Sequence, residues 1–202
     1  MGEELAVQYR ANDGTDVALD ASTVRKFILT GSGTATDADV AGFLALCQAR
    51  GLNPLARDAY LVKYGDGPAS TIVSKDFYVR AATQQPTYKG MRAGVVVINR
   101  EGELVEREGA LVGGQTEKLV GGWAEVHDDR WAEPMKAVVA MSEYDSGKSL
   151  WRSKPATMIR KVAVCQCLRE AYGSVFGGLY DASEMGFKED AAPVAVEIVE
   201  TE

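Results

Sequence analysis

The chain has one histidine and three cysteines in 202 residues, and that scarcity removes most site chemistry at the outset. With His127 alone, neither a Ser-His-Asp nor a Cys-His nucleophile is expected. No cysteine pair stands near His127 to complete a zinc site, so His127-Asp128-Asp129-Arg130 reads as a polar hairpin tip. Cys47, Cys165 and Cys167 are too few and of the wrong parity for a disulfide framework, which fits a reducing compartment. All three are expected in the core. No apolar run reaches the ~18 residues of a membrane span. The opening MGEELAVQYRAND lacks the basic and apolar regions of a secretory signal, so a cytosolic location is expected. Ser146-Gly147-Lys148-Ser149 ends like a phosphate-binding loop, but Ser142 stands where the first glycine is required, which excludes nucleotide hydrolysis on this motif. An overall basic charge is also missing, since the net is −7.

That charge is unevenly placed. Asp181 to Glu202 holds seven acidic residues and one lysine. Trp151 to Tyr172 holds five Lys or Arg and one Glu, a local net of +4. The latter stretch, WRSKPATMIRKVAVCQCLREAY, reads as one helix, with Pro155 in a first turn and Gly173 as its stop. It is too apolar for a surface helix and should be buried on most faces. At about 100° per residue, Lys154, Lys161 and Arg169 fall within roughly 60° of one another, and are spaced roughly 10–12 Å along the axis. Phosphates recur about every 3.4 Å along one DNA strand, so this ridge could meet about every third one. Arg152 extends the charge at the helix entrance and Arg160 lies off the ridge. The plainer interpretation of the same pattern is a core helix whose long basic side chains reach out to water.

Along the chain, residues 1–19 show little periodicity and form an expected flexible N-terminus. A short helix is predicted over 22–29 and a better one after Thr36, where Thr36-Asp37-Ala38-Asp39 resembles a capping box and Gly51 ends the pattern. Strands follow at 59–63 and 70–73, and a helix over 75–84 is capped by Ser74. Residues 91–99 and 104–112 form a hairpin, with further strands at 118–126 and 135–143. The fold class is α+β, with a largely antiparallel sheet flanked by helices. Residues 20–188 form one core domain, and 189–202 are an expected disordered acidic tail.

Aromatic and basic residues interleave as they do in single-stranded nucleic-acid grooves. Tyr64 follows Lys63, Tyr78 lies near Lys75 and Arg80, Tyr88 adjoins Lys89, and Trp151 adjoins Arg152. Core packing is the competing explanation for each ring. Acidic pairs such as Glu143 with Asp145 and Asp181 with Glu184 raise a second function, a metal-dependent nuclease, which requires carboxylates to converge on one site.

Several segments, in order, resemble the RecT/Redβ (Bet) family of phage single-strand annealing proteins. They are GLNPLARDAYLVKYG (51–65), IVSKDFYVRAATQQPTYKGMRAGVVV (72–97), VEREGALV (105–112), KLVGGWAEV (118–126), SEYD (142–145), W-x3-PATMIRKVAVCQCLREAYG (151–173) and GLYDASEM (178–185). The PATMIRK…LREA block followed by GLYDA is the specific part. The resemblance implies ATP-independent binding and pairing of complementary single strands by rings or helical filaments of the protein, in the cytoplasm of a bacterial host. No cofactor is implied, and magnesium would act as a modulator. It also implies a partner 5′–3′ exonuclease and the host single-strand-binding protein. Lys154, Arg160, Lys161 and Arg169 match the family's basic helix, and Arg57, Lys75 and Arg80 its upstream basic positions. Lys63, Lys89, Arg92 and Arg152 complete the expected DNA-binding set, and Tyr64, Tyr78, Tyr88 and Trp151 are candidate stacking rings. Longer members carry a C-terminal partner-binding domain after this core; here a short acidic tail is expected in its position, and its charges would compete with DNA or bind a basic partner.

Overall fold

The structure, a computed structural model, describes residues 5–185. The acidic tail lies outside them. The chain divides into two compact units at Thr71/Ile72, inside the stretch expected to be one core domain.

The first unit opens with a paired hairpin, where a flexible N-terminus was expected. Strand β1 (Ala6–Arg10) runs antiparallel to β2 (Asp16–Asp20), with Tyr9 opposite Val17. In β2 alternate residues Val17 and Leu19 are buried, and two apolar positions are too short a period to stand out in sequence. Helix α1 (Ala21–Thr23) is capped by Asp20 and continues as one wide π turn over Val24–Ile28. The short β3 (Leu29–Thr30) pairs in parallel with β4 (Ala59–Val62), and the sheet order is β3-β4-β5, with β5 spanning Ser70–Val73. Helix α2 (Asp37–Arg50) starts on the expected capping box. Asp39 N donates to Thr36 Oγ1 at 3.2 Å and Thr36 N to Asp39 Oδ2 at 2.9 Å. It ends on Gly51, whose φ of 59° is the left-handed conformation that glycine adopts freely.

The second unit begins with α3 (Lys75–Thr83), capped by the Ser74 hydroxyl. A four-stranded antiparallel sheet follows, ordered β7-β6-β8-β9. Its strands are β6 (Tyr88–Ile98), β7 (Leu104–Glu108), β8 (Lys118–Asp128) and β9 (Met135–Ala140). Where a strand was expected to run on to residue 143, the chain turns into α4 (Met141–Tyr144). Then come α5 (Ser149–Ser153), α6 (Pro155–Ala171) and α7 (Gly173–Phe176).

The helix expected over 151–172 is therefore two helices. The break is Lys154, at φ −140° and ψ 51°. A residue before proline is pushed out of the helical region, so Pro155 starts α6 and at the same time prevents α5 from joining it. Nine of the 17 residues of α6 are buried, as its apolar character predicts, and the helix packs across β8 and β9. Gly122 permits the close approach. A Cβ there would stand 2.5 Å from the Ile159 carbonyl oxygen, which is backbone and cannot yield.

Candidate nucleic-acid interface

The expected binding residues fall into three groups by what their side chains touch. Those in the first group are committed to the fold. Tyr78 is fully buried, packed against Phe77 and Phe176, and Trp151 is 4% exposed. Neither ring can stack on a base, so core packing is the correct explanation for both. Lys63 is buried and pairs with Asp39 at 2.7 Å. That contact, with the Thr36 hydrogen bonds, holds the Asp39 carboxyl down at about 2. Lys63 thus locks the N-terminus of α2 to the end of β4, and it is a structural ion pair where a DNA contact was expected.

The second group is paired with acids. Lys161 and Arg169 do share a face of α6, but the segment 179–184 lies along it. Lys161 Nζ meets Asp181 Oδ1 at 3.1 Å. Arg169 donates from Nη1 to Leu179 O at 3.2 Å and to Glu184 Oε2 at 3.1 Å, and from Nη2 to Glu184 Oε1. Burial opposes the Arg169 charge, yet the Glu184 contacts outweigh it and raise the guanidinium's pKa above its ordinary value. The ridge is a real feature of the helix, and its two members within α6 are spent on this acidic strap. Lys154, outside the helix, does not belong to it. The pair Asp181 and Glu184, weighed as metal-binding carboxylates, serve as counter-ions instead.

Elsewhere Arg92 pairs with Glu108 at 2.9 Å and Glu125 at 3.4 Å, Lys89 with Asp129 and Lys75 with Asp76, both at 2.9 Å. These are surface pairs that water and salt weaken. Arg92 lies on the sheet face opposite α6, where Lys136 sits 5.1 Å from the Trp123 ring and pairs with Glu106. Charge on that face is compensated across the strands. Arg160 donates to the Ala93 carbonyl at 3.2 Å, and Arg80 lies over the Phe77 ring. Both are half-buried, as are Tyr64 and Tyr88.

The third group is open. Arg152 and Lys154 are exposed and, among the described residues, have no acidic partner. The same holds for Lys148, the N-cap residue of α5. Lys148 was not among the expected binding residues, because its neighbourhood resembles a failed phosphate loop. A simpler signal stands in the same stretch: Lys148 to Lys154, KSLWRSK, carries three cations and no acid. The buried Trp151 and the break before Pro155 hold the cluster in place. In the first unit Arg57 is exposed at φ 65°. It follows an Asx turn in which Asn53 Oδ1 accepts from Ala56 N at 3.2 Å, while Asn53 N donates to the buried Asp58 carboxylate at 2.9 Å.

A separate network closes the far end of β8. The buried Asp128 carboxylate accepts from Arg130 Nε at 2.8 Å, Tyr172 Oη at 2.8 Å and Thr87 Oγ1 at 2.9 Å. These donors outweigh burial and hold its pKa far below the usual carboxylate range. Arg130 lies 4.4 Å from the Trp131 ring centre and 5.0 Å from that of Tyr172. Residues 127–130 do lie at the tip of the β8–β9 hairpin, as expected, but Asp128 is buried there as the centre of this network. That burial is not legible locally, because Thr87 and Tyr172 are distant in sequence from the acid they bind.

Among the described residues, no helix is long and apolar enough to cross a membrane. The uncharacterized protein UU154 of Ureaplasma parvum serovar 3 is 27% identical over 170 residues, covering 79% of this chain and 69% of its own length. The RecT family matches residues 18–196. That span takes in both compact units, the cationic junction between α5 and α6 and the acidic strap, and by it the chain belongs to the RecT family of single-strand annealing proteins of phage DNA recombination.

Proposed function

We propose that this protein binds single-stranded DNA by its phosphates and pairs it with a complementary strand without ATP, as an assembled oligomer in the cytoplasm of a bacterial host. The observation that carries the proposal is the junction of Lys148, Arg152 and Lys154, exposed and without acidic partners among the described residues. Cations grip a sugar-phosphate chain without reading bases, which leaves the pairing edges free for the second strand. Within the same unit, Arg160, Lys89 and Arg92 stand as secondary contacts that would exchange a carboxylate or carbonyl for a phosphate, and Arg57 is a separate exposed cation of the first unit. Annealing requires no nucleophile and no nucleotide pocket, and magnesium would modulate binding by screening phosphates. An exonuclease that exposes single strands and the host single-strand-binding protein are the partners this role needs. For assembly, the edge strands β7 and β9 carry the exposed Leu104 and Val138, and unpaired edges are ready templates for a neighbouring copy as a ring or filament.

The test incubates labelled complementary oligonucleotides with protein, with and without ATP and magnesium. Faster duplex formation with intact strands and no ATP requirement supports annealing. Fragments in the presence of magnesium would instead favour a nuclease.

A further inference from the structure

Tyr180 is 44% exposed, which is unusual for a ring held so firmly. Its backbone carbonyl accepts from Val73 N at 2.9 Å. Leu179 before it is buried, and Asp181 after it is 1% exposed and paired with Lys161. Ser183 donates to the Asp181 carboxylate from both N and Oγ, at 2.9 and 2.6 Å. The ring itself lies against the Arg169 guanidinium, 4.8 Å from its centre. That guanidinium is in turn fixed by Glu184 and the Leu179 carbonyl.

We infer that Tyr180 is a stacking platform for one base of the bound single strand, with Arg169 and Glu184 as its positioning residues. This rests on the single-strand binding proposed above. Two observations and one general property of bases support it. The ring's attachment is rigid, so little conformational freedom remains to be given up on binding. A cation behind an aromatic ring is a combination that single-strand grooves use. Every base has a π-face, so such a platform is sequence-tolerant, as annealing of arbitrary strands demands. It also accounts for the strap. Lys161 and Arg169 are withheld from phosphates, and the segment they hold presents a ring instead.

The experiment compares wild type with Tyr180→Ala on oligo-dT and on an abasic oligonucleotide of equal length and charge. Stacking of this kind is worth about fivefold to 150-fold in affinity per base. Tyr180→Ala should lose that on oligo-dT and change less than about twofold on the abasic strand, while Tyr180→Phe should behave as wild type. Equal losses on both strands, or none on either, would overturn the inference. Should Tyr180→Ala lower the melting temperature, Tyr180→Trp provides the second readout. Its added indole emission should be quenched by oligo-dT and not by the abasic strand, and equal quenching would refute stacking. Failure of wild type to bind either strand would remove the parent proposal as well, whereas tight wild-type binding with an indifferent Tyr180→Ala removes only the platform.

Discussion

Replacing Arg169 separates structure from binding. In sequence it is one of a ridge of DNA-gripping cations, and its replacement is expected to flatten the salt dependence of binding. In the structure its side chain is 18% exposed and Glu184's is 5% exposed. Removing one partner of a buried pair leaves an uncompensated charge and costs about 3–5 kcal/mol. Arg169→Ala should therefore destabilise the fold by that amount in urea titration. A cation that meets a phosphate of single-stranded DNA contributes about 0.7 to the slope of log K against log salt. Arg169→Ala should leave that slope unchanged, because the Arg169 guanidinium is already taken up by Glu184 and the Leu179 carbonyl. Arg169→Met with Glu184→Leu removes both charges and should restore much of the stability, since an apolar pair of similar size is often as stable as the ion pair it replaces. Affinity titrated against salt on that folded double variant gives the cleaner result. A variant of full stability whose slope falls by about 0.7 would refute the structural role of Arg169.

Other perturbations act on single interactions. Gly122→Ala should destabilise by about 2–3 kcal/mol in chemical denaturation, because the new methyl meets the Ile159 carbonyl at 2.5 Å and α6 must lift from β8. Asp128→Ala should cost about 2–4 kcal/mol, read as a fall in thermal or urea stability. It strands the buried Tyr172 hydroxyl, while the half-exposed Arg130 recovers part of its deficit in water. For Asp39 the folded pKa, about 2, lies below the ordinary 3.8. The stabilisation is present above about pH 4 and is lost as pH falls toward 2. Asp39→Asn should therefore show a shallower acid limb in stability against pH, and an unchanged limb would count against the Lys63 contact.

Sequence signals are reliable here where the determinant is local. Thr36, Ser74 and Gly51 mark helix ends because caps act within one turn, and the β6–β7 hairpin and the buried face of α6 follow from short-range periodicity. Pro155 is the instructive case. Its first-turn position is legible, but its effect on Lys154 splits the helix and displaces one cation from the ridge. The strap is not legible, because it depends on residues 179–184 returning to α6, and nothing in spacing along one helix reveals what covers it. Tyr78 and Lys63 depart from expectation for the same reason. Burial is set by tertiary packing, and an aromatic beside a lysine reads alike in a groove and in a core. The hairpin at residues 6–20 is hard to see in sequence because two buried positions make a weak pattern.

The proposal stands or falls with the cations at the α5–α6 junction. The decisive measurement is the rate of pairing of complementary oligonucleotides at modest salt, for wild type and for Lys148→Ala, Arg152→Ala and Lys154→Ala combined. These side chains are exposed and without acidic partners among the described residues, so the fold and melting temperature should be retained. Pairing should slow markedly, and the salt slope of strand binding should fall by about 2, close to 0.7 for each cation removed. A folded triple variant that binds and anneals as wild type does, with an unchanged slope, would contradict the assignment of this junction as the strand-gripping surface.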